Sequence, residues 1–179
     1  MRVRVVTPLL LVAALAVGCG AEEETPRALP SVSVTTAPSP TAAPVPTEAQ
    51  AETPQGAAAF ARFFYAEVQR AFEEKDPAIV ERLSAPGCTT CDLFVSSLTT
   101  LRDNNESATA VRYDIKAAES PAITGDEAVV TVVYDGPAVQ RFDSSGEVIR
   151  EEPAVVDAQE QMVLIRGSES WLVSEIQAV

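Results

Sequence analysis

Between residues 54 and 75 apolar side chains recur at helical spacing. Ala57, Phe60, Ala61, Phe64, Val68, Ala71 and Phe72 share one face, which predicts an amphipathic helix with its stripe turned to a core. Thr53-Pro54 opens it, a capping side chain followed by proline at the first helical position. Phe63 and Tyr65 flank the stripe on opposite edges, so this helix is expected to be embraced on three sides. Asp76-Pro77 repeats the cap-and-proline pattern for a short helix carrying Ile79, Val80 and Leu83, which Pro86-Gly87 ends. A third helix is predicted from Thr89 or Thr90 to Arg102, with Leu93 or Phe94, Leu98 and Leu101 inward and Asp103-Asn104-Asn105 closing it.

Beyond residue 110 the period changes to two. Val111, Tyr113 and Ile115 alternate with polar residues, and further strands are predicted at 128–134, 139–142, 148–150, 155–166 and 170–176, separated by Gly, Pro and Ser clusters. Helices first and strands after them predict an α+β fold on an antiparallel sheet. Val129 to Val133 and Met162 to Ile165 are apolar on both faces, so something is expected to cover the second face: a bend in the sheet, a protein partner or a second copy.

The N-terminus has a different character. Arg2 and Arg4 precede an apolar run from Val5 to Val17 and small residues up to Gly18-Cys19, the order of a secretory signal over residues 1–18. Leu15-Ala16-Val17-Gly18-Cys19 resembles the bacterial lipobox, which implies acylation of Cys19 (diacylglycerol and palmitate) and a lipid anchor on the extracytoplasmic face of the cell membrane. An ordinary cleaved signal with an incidental cysteine is the alternative. Residues 19–53 are rich in Pro, Thr, Ala and Glu and contain no aromatic residue, so they are expected to form a disordered stalk, with the folded domain spanning 54–179.

Charge and composition exclude several functions. Cleavage before Cys19 would take the chain from 13 basic and 26 acidic residues to 11 and 26, a net charge of −15, which disfavours nucleic acid as a partner. There is no histidine, which removes Ser-His-Asp and Cys-His catalysis and His-ligated zinc. With Cys19 committed to lipid, Cys88 and Cys91 remain as a pair in an exported chain, too few thiolates for a structural zinc site. Their spacing at a helix start suits a structural disulfide, and a thiol-disulfide activity is the competing reading. No metal or cofactor is expected.

The order of three helices and a curved sheet, with Phe63-Phe64-Tyr65 early and Trp171-Leu172-Val173 in the last strand, resembles the cone-shaped nuclear-transport-factor-2-like (SnoaL-like) superfamily. The stretch from Gly56 to Cys91, ending Leu83-Ser84-Ala85-Pro86-Gly87-Cys88-Thr89-Thr90-Cys91, is similar to an uncharacterised lipoprotein family of high-GC Gram-positive bacteria. The superfamily resemblance implies a pocket between the first helix and the sheet, which in some members binds small apolar molecules and in others performs isomerase or dehydratase chemistry. Residues expected at that pocket are Phe64, Tyr65, Glu67, Tyr113 and Trp171, with Glu67 the one carboxylate and Tyr65, Tyr113 or Tyr134 as proton donor. Against a pocket role, Arg70 lies at i+3 and would pair with Glu67 on a solvated flank, and Trp171 would be core. The reading is a non-enzymatic, membrane-tethered domain that binds a small apolar ligand or a protein partner, or forms a homodimer. A pocket enzyme is the alternative.

Overall fold

The computed structural model describes residues 43–179. Its helices are α1 (Thr47–Gln50), α2 (Pro54–Glu74), α3 (Ala78–Glu81) and α4 (Thr89–Asp103). The strands are β1 (Ser107–Ala108), β2 (Asp114–Glu119), β3 (Ile123–Thr124), β4 (Glu127–Gly136), β5 (Val139–Phe142), β6 (Val148–Glu152), β7 (Val155–Arg166) and β8 (Trp171–Ala178). The larger sheet runs β2-β4-β7-β8 with β3 paired to β4, and a smaller one runs β1-β5-β6. All pairings between named strands are antiparallel.

The long helix starts where its chemistry dictates. Thr53 accepts the N–H of Gly56 through its side chain at 3.0 Å, and Pro54 occupies a position whose N–H has no helical partner. The expected stripe is the buried one: Ala57, Phe60, Ala61, Phe64, Val68 and Ala71 are inaccessible to solvent. Tyr65 is buried and Phe63 packs half-buried against the same core, so the helix is enclosed on more than one side. Helix α2 ends at Lys75 in the left-handed conformation, with the Lys75 N–H returning to the Ala71 carbonyl.

Two expectations shift, at the start of the domain and at the start of the first strand, and one alternative on α4 is settled. The ordered domain begins before residue 54: Ala49 of α1 is buried, and the segment up to Ala51 lies so close to α2 that a Cβ on Gly56 would come within 2.1 Å of the Ala51 carbonyl oxygen. The C-terminal end of the expected stalk is therefore part of the fold, because Ala49 and Val45 supply apolar contacts that composition alone undervalues. On α4, Phe94 and not Leu93 turns inward, and Leu93 is 61% exposed. The strand expected from Val111 starts only at Asp114, because the Tyr113 N–H is taken by the Gln69 side chain at 2.6 Å instead of a neighbouring strand.

Strand β4 alternates as a half-covered strand should, with Ala128, Val130 and Val132 buried under the helices and Val129, Thr131 and Val133 half-buried on the other face. Register shifts at Tyr134/Gly136 and Val163/Leu164 bend the strands, the usual effect of a bulge. Edge strand β8 is partly covered: Ala85 donates to Val173 at 2.8 Å and Val173 to Leu83 at 2.9 Å. The result is the expected α+β architecture, with helices packed on curved antiparallel sheets.

Candidate functional site

A cavity of about 330 Å³, at the lower end of the size range of small-molecule sites, opens between α4 and the smaller sheet. Phe72 of α2 and Phe94 of α4 meet edge to face at 6.4 Å and form one wall. Val111 of the segment before β2 and Val139 of β5 face them across the space. Leu93 and Val155, both substantially exposed, stand at its edge. The cavity exists because residues 109–113 leave the sheet and β5 and β6 form their own hairpin, so the two sheets part around it.

Polar groups converge on this apolar space. Tyr113 and Tyr134 line it, as do Arg112, Arg141, Arg150 and Glu152. Arg141 is ion-paired with Glu106, whose carboxylate also accepts Asn104 at 2.8 Å. The Asn104 hydrogen bond first, and the Arg141 contact after it, hold the Glu106 carboxyl below the usual carboxylate range.

Behind Tyr113 and Tyr134 lies Tyr65, and the three rings form one cluster with centroids 4.8, 5.3 and 5.7 Å apart. Tyr65 and Tyr134 both donate to the carboxylate of Glu160 on β7, Tyr134 at 2.9 Å. Burial is the largest influence on all three phenols, with the Glu160 charge adding to it, and it pushes their pKa values well above the ordinary tyrosine value. They are therefore hydrogen-bond donors at any physiological pH, and Tyr65 and Tyr134 spend that capacity on Glu160.

Of the five residues expected at a pocket, Tyr113 alone lines the cavity. Phe64 and Trp171 are core, and Tyr65 is one layer behind the wall. Glu67 pairs with Arg70 at 2.5 Å as the flank reading held, but it is buried and has a second guanidinium partner in Arg82. The expected pocket lay between the first helix and the sheet, where Phe60, Phe64, Val130 and Leu164 fill the space. Glu160 escaped the sequence reading because its strand position alternates like any wet-faced strand, and the cavity arginines because Arg112 lies in no strand and Arg141 and Arg150 lie on short strands without alternation. The period-2 register linking Glu160 to buried Met162 and Leu164 was the available signal.

Cys88 and Cys91 are joined as a disulfide at the N-terminus of α4, where the Cys88 sulfur also accepts the Cys91 N–H. Both residues are buried. Cys19 lies outside the described residues. Among the described residues no helix is long and apolar enough to cross a membrane, and no three Cys, Asp or Glu side chains are grouped to hold a metal.

Helices cupped by a bent antiparallel sheet, with an open cavity beside them, define an α+β domain. Its backbone is similar to the intermembrane-space region of the chloroplast protein ARC6, at a TM-score of 0.53 and 7% identity, covering 70% of this chain and 95% of that one. Weaker likenesses, too distant to add to this, are the association domain of C. elegans CaMKII (TM-score 0.44, 16% identity, covering 70% and 96%) and a protein of the NTF2-like family from Streptomyces avermitilis (0.41, 15%, covering 66% and 92%). The chain belongs to the family of unknown function DUF6318, whose model matches residues 35–177. No curated protein matches it.

Proposed function

We propose that this protein is a non-enzymatic binding domain, held on the extracytoplasmic face of a bacterial membrane by acylated Cys19, and that its cavity takes a small apolar ligand. The observation that carries the ligand reading is the cavity itself, an open space of about 330 Å³ with aromatic and aliphatic walls. An isomerase or dehydratase would need a carboxylate, or a phenol that ionises near neutral pH, free to exchange a proton inside that space, and burial holds the Tyr113 phenol well above the ordinary tyrosine value. Glu160 is occupied by two tyrosine hydroxyls and does not line it, and Glu152, which does, is paired with Arg150 at the surface. A thiol-disulfide activity would need an accessible sulfur, and both cysteines are buried.

Support for the tether is confined to the order of charged, apolar and small residues before Cys19. Cys19→Ser should release the protein into the medium or leave its precursor uncut, and a wild-type protein that takes up no labelled fatty acid would refute the anchor. For the ligand, saturating the protein with a neutral apolar compound should shift the ring resonances of Tyr113 and Tyr134 and spare those of Phe60 and Trp171. The reverse pattern would refute the site. A protein partner or a second copy on the half-buried face carrying Val129, Val133 and Val163 remains a second use of the domain, supported by the apolar character of that face. Val133→Glu should then reduce any self-association seen by sedimentation, and a wild-type chain that sediments as a monomer would refute it for the second copy.

A further inference from the structure

The cavity has a charge distribution at odds with the chain that builds it. The sequence holds 26 acidic against 13 basic residues, yet the cavity is lined by Arg112, Arg141 and Arg150 and by one acid, Glu152. Arg141 is committed to Glu106, Arg150 meets Glu152 through its Nε at 3.0 Å in a solvent-exposed pair that a stronger anion can displace, and Arg112 pairs with no acid among the described residues. With both partner acids counted, one positive charge is left over at the cavity.

Tyr113 adds a donor. It lines the space beside Tyr134, and unlike Tyr65 and Tyr134 its hydroxyl makes no hydrogen bond within the described residues. Apart from Ser97 the remaining walls are apolar, and the edge carries Leu93 at 61% and Val155 at 39% exposure. A wholly apolar ligand would cover guanidinium and phenol groups without giving them a partner, which costs free energy. A ligand with an apolar body and one anionic oxygen head would satisfy both halves of the site, since guanidinium groups match carboxylate and phosphate oxygens in pairs.

We propose that the cavity binds a single-chain amphiphile with one anionic oxygen headgroup, its apolar body against Phe72, Phe94 and Leu101 and its head met by Arg112, Arg150 and the Tyr113 hydroxyl. This rests on the ligand-binding reading above and narrows it to one chemical class. The head is a carboxylate, as in a free fatty acid, or a phosphate, as in a lipid with a single acyl chain.

The test is calorimetric titration of the purified full chain with four ten-carbon probes below their micellar concentrations: decanoate, decyl phosphate, decanol and decyltrimethylammonium. Decanoate or decyl phosphate should bind at least tenfold more tightly than decanol, and the cation most weakly. Which anion binds better identifies the head. The double variant Arg112→Gln/Arg150→Gln, made at exposed positions, should bring the anions to the affinity of decanol and leave decanol unchanged, which also shows that the cavity is intact. Decanol binding as tightly as both anions, or an anion preference that survives in the double variant, would overturn the headgroup proposal while the apolar-ligand reading stood. Failure of all four probes to bind would overturn both.

Discussion

The indole N–H of Trp171 donates to the carbonyl of Ala51 at 3.0 Å and so fastens the residues before the long helix to the first residue of the last strand. Arg166 reinforces the join: it stands 5.3 Å from the Trp171 ring, donates to the Gln50 carbonyl at 2.9 Å and pairs with Glu52. Trp171→Phe keeps most of the packing but strands the Ala51 carbonyl, so a loss of about 1–2 kcal/mol is expected. Trp171→Ala also leaves a cavity in the core and should cost about 3–5 kcal/mol. Urea unfolding followed by circular dichroism measures both, and two variants of equal stability would mean that the hydrogen bond and the ring contribute nothing separately.

The three tyrosines of the chain all belong to the Tyr65, Tyr113 and Tyr134 cluster, so an ultraviolet titration reads that cluster without background. All three phenols have raised pKa values, owing to burial first; the Glu160 charge comes next for Tyr65 and Tyr134, and the neighbouring Tyr134 for Tyr113. The folded protein should therefore show no phenolate at pH 10, where an unfolded chain is about half ionised. The sign follows: stability from these groups is fully present below about pH 10 and falls as pH rises toward the folded values, because the unfolded state then binds fewer protons. A phenolate signal near pH 10 in protein that is still folded would contradict the cluster.

Glu67 lies beneath two guanidinium groups, each with about a quarter of its side chain exposed, while its own side chain is 7% exposed. Glu67→Ala leaves Arg82 without that carboxylate, and its Nε is buried with no partner already. A cost of about 2 kcal/mol is expected, below the figure for a fully buried pair because the arginines reach solvent. Thermal unfolding gives the cost, and unchanged ligand affinity in the same variant would confirm that Glu67 serves the fold and not the cavity.

Reduction of the Cys88–Cys91 bond should cost about 2 kcal/mol, since a bond between residues three apart closes a minimal loop. It should not melt the domain, because Phe60, Phe64, Leu98 and Trp171 remain packed. No turnover is expected in an insulin-reduction assay. Turnover comparable to that of a dithiol oxidoreductase would assign the pair a redox role.

Helices α2, α3 and α4 were legible because each carries its own punctuation. Thr53-Pro54 and Asp76-Pro77 are local signals, and the Ala57 to Ala71 stripe is a local period. Strand β7 was legible for the same reason, over the very residues Val155–Arg166. The site was not, since it depends on which strands pair. Tyr134 meets Glu160 and Tyr65 only because β4 and β7 align in one register, and the cavity arises because β5 pairs with β6 and β1 instead of joining the larger sheet. Ala49 and Ala51 were misplaced because a Pro- and Thr-rich composition describes a stretch on average, while one buried alanine and one backbone carbonyl suffice to dock its end.

The central claim is that the space lined by Phe72, Phe94 and Ser97 is a ligand site. Its most direct test is fluorescence titration with the neutral apolar probe N-phenyl-1-naphthylamine on the wild-type chain and on Ser97→Trp, in which the indole fills the cavity from α4. The expected result is saturable binding at one site per chain, abolished in Ser97→Trp with thermal unfolding nearly unchanged. No saturable binding to the wild-type chain, or binding that Ser97→Trp leaves intact, would contradict the account.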